Sequence, residues 1–441
     1  MPPRTPPPKG PVDLDPILLE LWDSVARGGL ASEALAEAFR AAGPTSPAFK
    51  GRVTQELYAL IRNARRVEFA LEGSGAPHAG PLRERAWLLA SRVVTGKLTP
   101  EAAAAEFPRV DWEAVAAVDE RIAEEADPAR RFGLAYGFPD PLAEAFLDAF
   151  GDDAEALAES LALPAPRTLR VNTLMATREA AAAELEAAGL KVRAGEYSST
   201  ALILDGPGDP FATAAYREGR VEFQDEASQL VAELVAPASG TLVIDACAGA
   251  GGKTLALGAW MRNKGMLVAV DRHNGRLTEF KRRARRAGLF CHRAIKADLL
   301  AQPWPKELTE LEGKAARVLV DAPCTGTGAI RRNPELRLGF DDEALTRLPP
   351  EQEGIARAAM AWVKPNGRLI YATCSMLPDE NERVVERLLR DARFSLVPIA
   401  EILGGARARK LADPQGQFLK VQPHRHGADG FFAAVLRRKD R

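Results

Sequence analysis

The feature that most constrains the fold is a change of apolar period after Asp225. Upstream, Ala, Leu, Glu and Arg dominate, with helical spacing such as Val53, Leu57, Leu60 and Ile61 and no convincing strand before about Leu161. Downstream, an amphipathic helix Glu226 to Val235 leads into short apolar strands. These run Leu242 to Asp245, Met266 to Val270, Val318 to Asp321, Arg368 to Thr373 and Phe431 to Leu436, with helical stretches between most of them. Strands alternating with helices predict an α/β fold with a mainly parallel, doubly wound, Rossmann-like sheet. Such sheets collect ligands outside the carboxyl ends of their strands, so chemistry is to be sought there.

At 441 residues the chain exceeds what one hydrophobic core serves, and the expectation is several domains. Residues 1–15 form a Pro-rich tail expected to be disordered, and 16–160 an all-α bundle cut at Gly43-Pro44, Gly73 to Pro81, Thr99-Pro100 and Phe138 to Pro141. Thr99 and Asp140 are candidate helix N-caps. Residues 161–224 read as a small α+β module, with strands Thr168 to Asn172, Lys191 to Arg193, Ala201 to Leu204 and Arg220 to Phe223 and a helix Thr177 to Ala188; 225–441 form the α/β domain. Lys plus Arg, 59, nearly cancels Asp plus Glu, 60, so any nucleic-acid site must be a local patch rather than a global field. No stretch reaches the roughly 18 to 20 apolar residues of a membrane helix, and Met1 to Pro16 has no signal-peptide core, so a cytoplasmic protein is expected.

The segment Val243 to Thr254 reads as strand, glycine turn and helix start, with Cys247, Ala248, Gly249, Ala250, Gly251, Gly252 and Lys253 in the turn. Glycines let the backbone approach a ligand, and a helix N-terminus offers free N–H groups to its polar part. Gly252-Lys253-Thr254 copies the end of a nucleoside-triphosphate loop, but Cys247 stands where that motif needs its first glycine. Asp271 ends the next strand, at the separation suited to ribose hydroxyls, Arg276 follows it, and Asp298 closes the segment after a third strand. Acids at successive strand ends suit an adenosine-type cofactor, whose hydroxyls and amine need acceptors.

Four cysteines, 247, 291, 324 and 374, form no Cys-x-x-Cys pair, which argues against zinc and a disulfide framework, and no metal is assigned. Cys291 reads as a small buried hydrophobe. Cys324 lies in Asp321-Ala322-Pro323-Cys324 and Cys374 in Thr373-Cys374-Ser375, each following a strand, so both thiols face the crevice. Amino-group methyltransferases carry an acid-Pro-Pro-aromatic turn at the first place; here Cys324 replaces the aromatic. Cytosine C5 is a poor nucleophile until a thiolate adds to C6, and a second group must then help the adduct break down. Two cysteines at adjacent strand ends suit that chemistry.

With these residues in view, the chain resembles the bacterial RsmB (Sun) family of ribosomal RNA cytosine-5 methyltransferases over nearly its full length. The most specific matches are Asp321 to Gly328 and Thr373 to Glu382; Arg170-Val171-Asn172, Phe223 to Ser228 and Gly427 to Phe432 support them. The resemblance implies a class I methyltransferase domain that binds S-adenosyl-L-methionine through Cys247 to Lys253, Asp271, Arg276, Asp298 and Asp321. It implies Cys374 as nucleophile, Cys324 as the group that aids release, and Asp321 and Lys253 as contacts to the target base. It further implies a NusB-like RNA-binding domain at the N-terminus, an RNA-recognition-like middle module and 16S rRNA as the partner. The chain departs from the family's Ala-Pro-Gly-Gly-Lys at Gly249-Ala250-Gly251-Gly252-Lys253, which is expected to loosen the free loop.

For RNA phosphates, Arg331 and Arg332, directly after the Cys324 turn, are candidates. So are the run Lys281 to Arg286 and the stripe Arg62, Arg65 and Arg66, each of which equally reads as a solvated helix face. A monomer is the default. The same chemistry on tRNA, and a non-catalytic ribosome-assembly factor, are the alternatives; intact Cys324 and Cys374 speak against the second.

Overall fold

The computed structural model describes residues 13–43, 45–340 and 342–440. Most of the expected disordered tail lies outside them, and the first helix starts at Asp15, with Pro16 in its opening turn. Contacts divide the chain into two compact units. One holds the described residues to Gly151 together with Asn333–Phe340; the other holds Asp152–Arg332 and the described residues after Phe340.

The first unit is helical. Its long helix Pro47–Leu71 buries Val53, Leu57, Leu60 and Ile61, the stripe that 3.6-residue spacing places on one face. Thr99 caps its helix by accepting the Ala102 amide hydrogen. Asp140 is not a cap: Pro139 holds that position and Asp140 is the first helical residue, its carboxylate paired with Arg65. Asn333–Phe340 joins this unit through Leu338, which packs on its core, and through Arg337. The Arg337 guanidinium lies 4.6 Å from the Phe138 ring centroid and donates to the Tyr136 carbonyl at 2.6 Å.

The second unit contains two sheets. The smaller comprises β1 (Arg167–Val171), β2 (Lys191–Ala194), β3 (Ala201–Asp205) and β4 (Val221–Phe223) in the order β2-β3-β1-β4, all antiparallel. Thr177 caps the helix Arg178–Ala187 that covers it.

The larger sheet has β5 (Leu242–Asp245), β6 (Met266–Asp271), β7 (His292–Lys296), β8 (Ala315–Asp321), β9 (Val363–Thr373), β10 (Phe394–Val397), β11 (Leu419–Val421) and β12 (Phe431–Arg438). Their order is β10-β12-β9-β8-β5-β6-β7, with β11 on β12; β5 to β9 are parallel and β12 is antiparallel to its neighbours. Both faces are buried. Val243, Leu267, Leu319 and Ile370 join one core, and the alternate residues Ile244, Val268, Val318 and Leu369 join the other. Covered faces on both sides explain why these strands read as continuous apolar runs. The order reverses at β5, whose neighbours β6 and β8 lead away in opposite directions, and the crevice opens there.

Candidate active site

A cavity of about 430 Å³ lies at the carboxyl ends of β5, β6 and β8. Asp245, Cys247, Ala248, Gly249, Ala250, Gly252, Lys253, Asp271, Arg276, Asp298 and Asp321 line it, so nearly all the expected cofactor residues converge there. Gly251 is the exception. It turns away with φ +84°, and a Cβ there would meet the Phe280 ring at 2.2 Å, so glycine serves the helix packing behind the turn.

Asp271 is held from both sides: Oδ2 accepts the Gly249 amide hydrogen at 2.8 Å and Oδ1 that of His273 at 2.7 Å. Its remaining lone pairs are free to take ribose hydroxyls. Asp298 and Arg276 are exposed at the rim. The cavity's size, its acids and the helix start at Gly252 fit a nucleoside cofactor bearing an amino-acid tail.

Asp245, which carries no role in the sequence reading, is buried with its Oδ2 accepting from the Thr254 hydroxyl at 2.7 Å and, among the described residues, no partner for its Oδ1. Burial pushes its carboxyl up to about 7. An acid ending the strand before a glycine turn was the available signal. The Cys247 thiol beside it is pushed well up, chiefly by burial.

Beyond the cavity edge stand the two thiols. Cys324 and Cys374 follow β8 and β9, which pair in parallel, and their sulfur atoms are 3.3 Å apart. The Cys324 thiol is pushed well above its ordinary range, first by its hydrogen bond with Cys374 and then by burial, so it keeps its proton. The turns interlock: the Gly328 amide donates to the Cys374 carbonyl at 2.8 Å, and the Gly430 amide donates to the Gly328 carbonyl at 2.9 Å. A Cβ at Gly328 would fall 2.1 Å from the Gly430 oxygen. At the cavity's mouth Lys253 donates to Asp321 Oδ2 at 2.7 Å and lies 4.7 Å from the Phe431 ring centroid.

The small sheet supports this site from behind. Buried Arg170 donates to the Gly252 carbonyl at 2.6 Å and to Gln224, and Asn172 donates to the Ala287 carbonyl at 2.9 Å. These motif residues are therefore internal braces.

Arg331 and Arg332, expected to face phosphates, serve internal contacts instead. Arg331 is buried and donates to the Gly427 and Pro164 carbonyls. Arg332 binds both the Asp225 and Asp429 carboxylates and the Pro166 carbonyl. Two buried acids beside it explain the capture, since an unpaired buried charge is costly. The Lys281 to Arg286 run is also divided: Arg283 and Arg286 pair with buried Glu222, whereas Lys281 and Arg285 are exposed. In the helical unit Arg65 and Arg66 pair with Asp140 and Asp119. Cys291 is partly buried against the core, as expected of a small hydrophobe. Among the described residues no helix is long and apolar enough to cross a membrane.

A mainly parallel sheet with an acid-lined cavity at its switch point and a thiol pair at the adjoining strand ends defines an S-adenosylmethionine-dependent methyltransferase. Residues 232–437 match the 16S rRNA methyltransferase RsmB/F family, and 138–210 match the ferredoxin-like domain of RsmF/B-like methyltransferases. The probable ribosomal RNA small subunit methyltransferase B of Bacillus subtilis (strain 168) is 33% identical over 319 residues, 71% of this chain and 69% of that one. The crystal structure of PH0851 covers 97% of this chain and 100% of its own at 26% identity and a TM-score of 0.76. That of a methyltransferase homolog protein from Pyrococcus horikoshii covers 69% and 97% at 26% identity and a TM-score of 0.59. The chain belongs to the RsmB/F family and is an S-adenosylmethionine-dependent RNA methyltransferase.

Proposed function

We propose that this enzyme methylates C5 of one unpaired or flipped cytosine in 16S rRNA, with Cys374 as nucleophile and Cys324 as the group that aids release. The 3.3 Å separation of the two sulfur atoms carries this reading, because it lets one thiol act on the other without a conformational change. The name of the Bacillus subtilis relative supports the small-subunit RNA as substrate.

The turn Cys247 to Lys253, with Asp271 and Asp298, would hold S-adenosylmethionine, which would supply an electrophilic methyl group. The Cys374 thiolate adds to cytosine C6 and makes C5 nucleophilic. Asp321, oriented by Lys253, accepts from the base's amino group and fixes its angle of approach. After C5 is methylated its proton passes to solvent, the electron pair of the C5–H bond re-forms the C5–C6 double bond and the C6–S bond breaks, returning Cys374 as a thiolate. Cys324, still protonated, donates a hydrogen bond to the departing thiolate. The helical unit, read as NusB-like, and the small α+β module would grip RNA around the target, in the cytoplasm where ribosomal subunits are assembled.

The test is incubation with labelled S-adenosylmethionine and unmodified small-subunit rRNA, followed by nucleoside analysis. The expected result is 5-methylcytidine from wild type and none from Cys374→Ala. Product only with tRNA would change the substrate assignment, and product from Cys374→Ala would remove the nucleophile assignment.

A further inference from the structure

Glu380 and Asn381 are adjacent in the chain and buried, 0% and 2% exposed, yet they serve different cysteines. Glu380 Oε1 accepts the Thr325 amide hydrogen at 2.9 Å and Oε2 accepts the Thr325 hydroxyl at 2.5 Å. Oε1 also accepts from Gln352 Nε2 at 2.8 Å, and the same nitrogen donates to the Pro323 carbonyl at 2.9 Å. Residues on both sides of Cys324 are thus tied to Glu380, one directly and one through Gln352. Asn381 does the same for the other thiol: its Oδ1 accepts the Thr373 hydroxyl at 2.5 Å, and its Nδ2 donates to the Ser375 carbonyl at 3.0 Å. The Tyr371 hydroxyl on β9 donates to the Glu380 carbonyl at 2.6 Å and anchors the dipeptide to the sheet.

Among the described residues no Lys, Arg or His pairs with Glu380. A buried carboxylate satisfied only by neutral donors is an expensive way to stabilise a loop, so its presence points to a task beyond stability. We propose that Glu380 and Asn381 are positioning residues that act as one two-armed clamp, Glu380 setting the Cys324 turn and Asn381 the Cys374 turn. The proposal rests on the cysteine roles given above. The two arms bear on different steps: Asn381 orients the attacking sulfur, and Glu380 holds Cys324 where its hydrogen reaches the departing thiolate. The Glu380 carboxylate, bonded to Thr325 next to Cys324, also opposes a second negative charge there.

Rapid-quench turnover with labelled S-adenosylmethionine and small-subunit rRNA, read by denaturing gel, separates the steps. Glu380→Gln keeps the shape but turns acceptors toward donors. It is expected to form adduct at the wild-type rate, to release product about 100-fold more slowly, and to accumulate a denaturation-resistant complex with unchanged cofactor affinity. Asn381→Leu is expected to slow adduct formation itself and to accumulate none. Thr325→Val, which removes one arm at a half-buried site, should show a weaker form of the Glu380→Gln behaviour and carries the test if Glu380→Gln does not fold. Wild-type release by both Glu380→Gln and Thr325→Val would overturn the proposal, as would equal slowing of both steps with loss of cofactor binding. Absence of adduct in Cys324→Ala as well would instead overturn the cysteine roles beneath it.

Discussion

The sulfur atoms of Cys324 and Cys374 lie 3.3 Å apart although 50 positions separate them in the chain. The contact follows from strand pairing, since Asp321 on β8 stands opposite Ala372 on β9 and each cysteine follows its strand end by a few residues. On the proposed mechanism Cys324→Ala removes the hydrogen-bond donor to the thiolate and leaves the proposed nucleophile in place. The variant should therefore trap RNA on Cys374, visible as a complex that survives denaturation; a clean gel would reject the release role.

Arg332 joins three segments, Asp225 before the first helix of the α/β domain, Asp429 before β12 and the Pro166 carbonyl before β1. Arg332→Met should leave two buried carboxylates facing each other and lower the unfolding free energy by about 3 kcal/mol, measured by urea denaturation. A loss under about 1 kcal/mol would mean the acids find other partners or protonate at little cost.

Asp245 has its carboxyl raised from 3.8 to about 7, chiefly by burial. An acid whose pKa rises on folding contributes stability that is fully present below its unfolded value and is lost as pH climbs through its folded value. Cofactor-free protein should thus lose stability between pH 4 and about 7 through this group, by at most roughly 4 kcal/mol. Asp245→Asn should flatten that part of the profile while keeping an acceptor for Thr254. Equal denaturation profiles for the two proteins would show that the group is ionised throughout.

By the resemblance drawn from the sequence, Ala250 stands where a proline is expected. Among the described residues no hydrogen bond of the turn uses its amide: Gly249 donates to Asp271, Gly251 to the Ala248 carbonyl, and the Ala250 carbonyl accepts from Arg283. Ala250→Pro therefore removes no bond and restricts the free loop. Calorimetry should show cofactor binding about two- to five-fold tighter; unchanged or weaker binding would mean the loop is already ordered without proline.

Sequence periodicity made the α/β sheet legible because both its faces are covered, so its strands are apolar runs bounded by turn residues. It missed Phe394–Val397 and Leu419–Val421, short strands at the antiparallel margin, where the pattern is too brief to stand out. The cofactor turn and the cysteines were legible for a local reason: each sits within a few residues of a strand's carboxyl end, and that position places a side chain at the crevice whatever the rest of the chain does.

The arginines show the limit of such reading. Arg331 and Arg332 look from the sequence like phosphate ligands beside the crevice; their partners Gly427, Asp225 and Asp429 lie about a hundred positions away, and only folding reveals that these guanidiniums are already engaged. Glu380 and Asn381 were visible as motif letters without a task, because their task is to hold Thr325, Thr373 and Ser375, and Thr325 lies on another strand's turn. By itself the sequence determined the fold class, the glycine turn at the crevice and the identity of the two thiols, since these depend on local period and on which atoms a residue carries. Tertiary structure alone decided the sulfur separation, the capture of the arginines and the clamp, because each is a distance between residues remote in the chain.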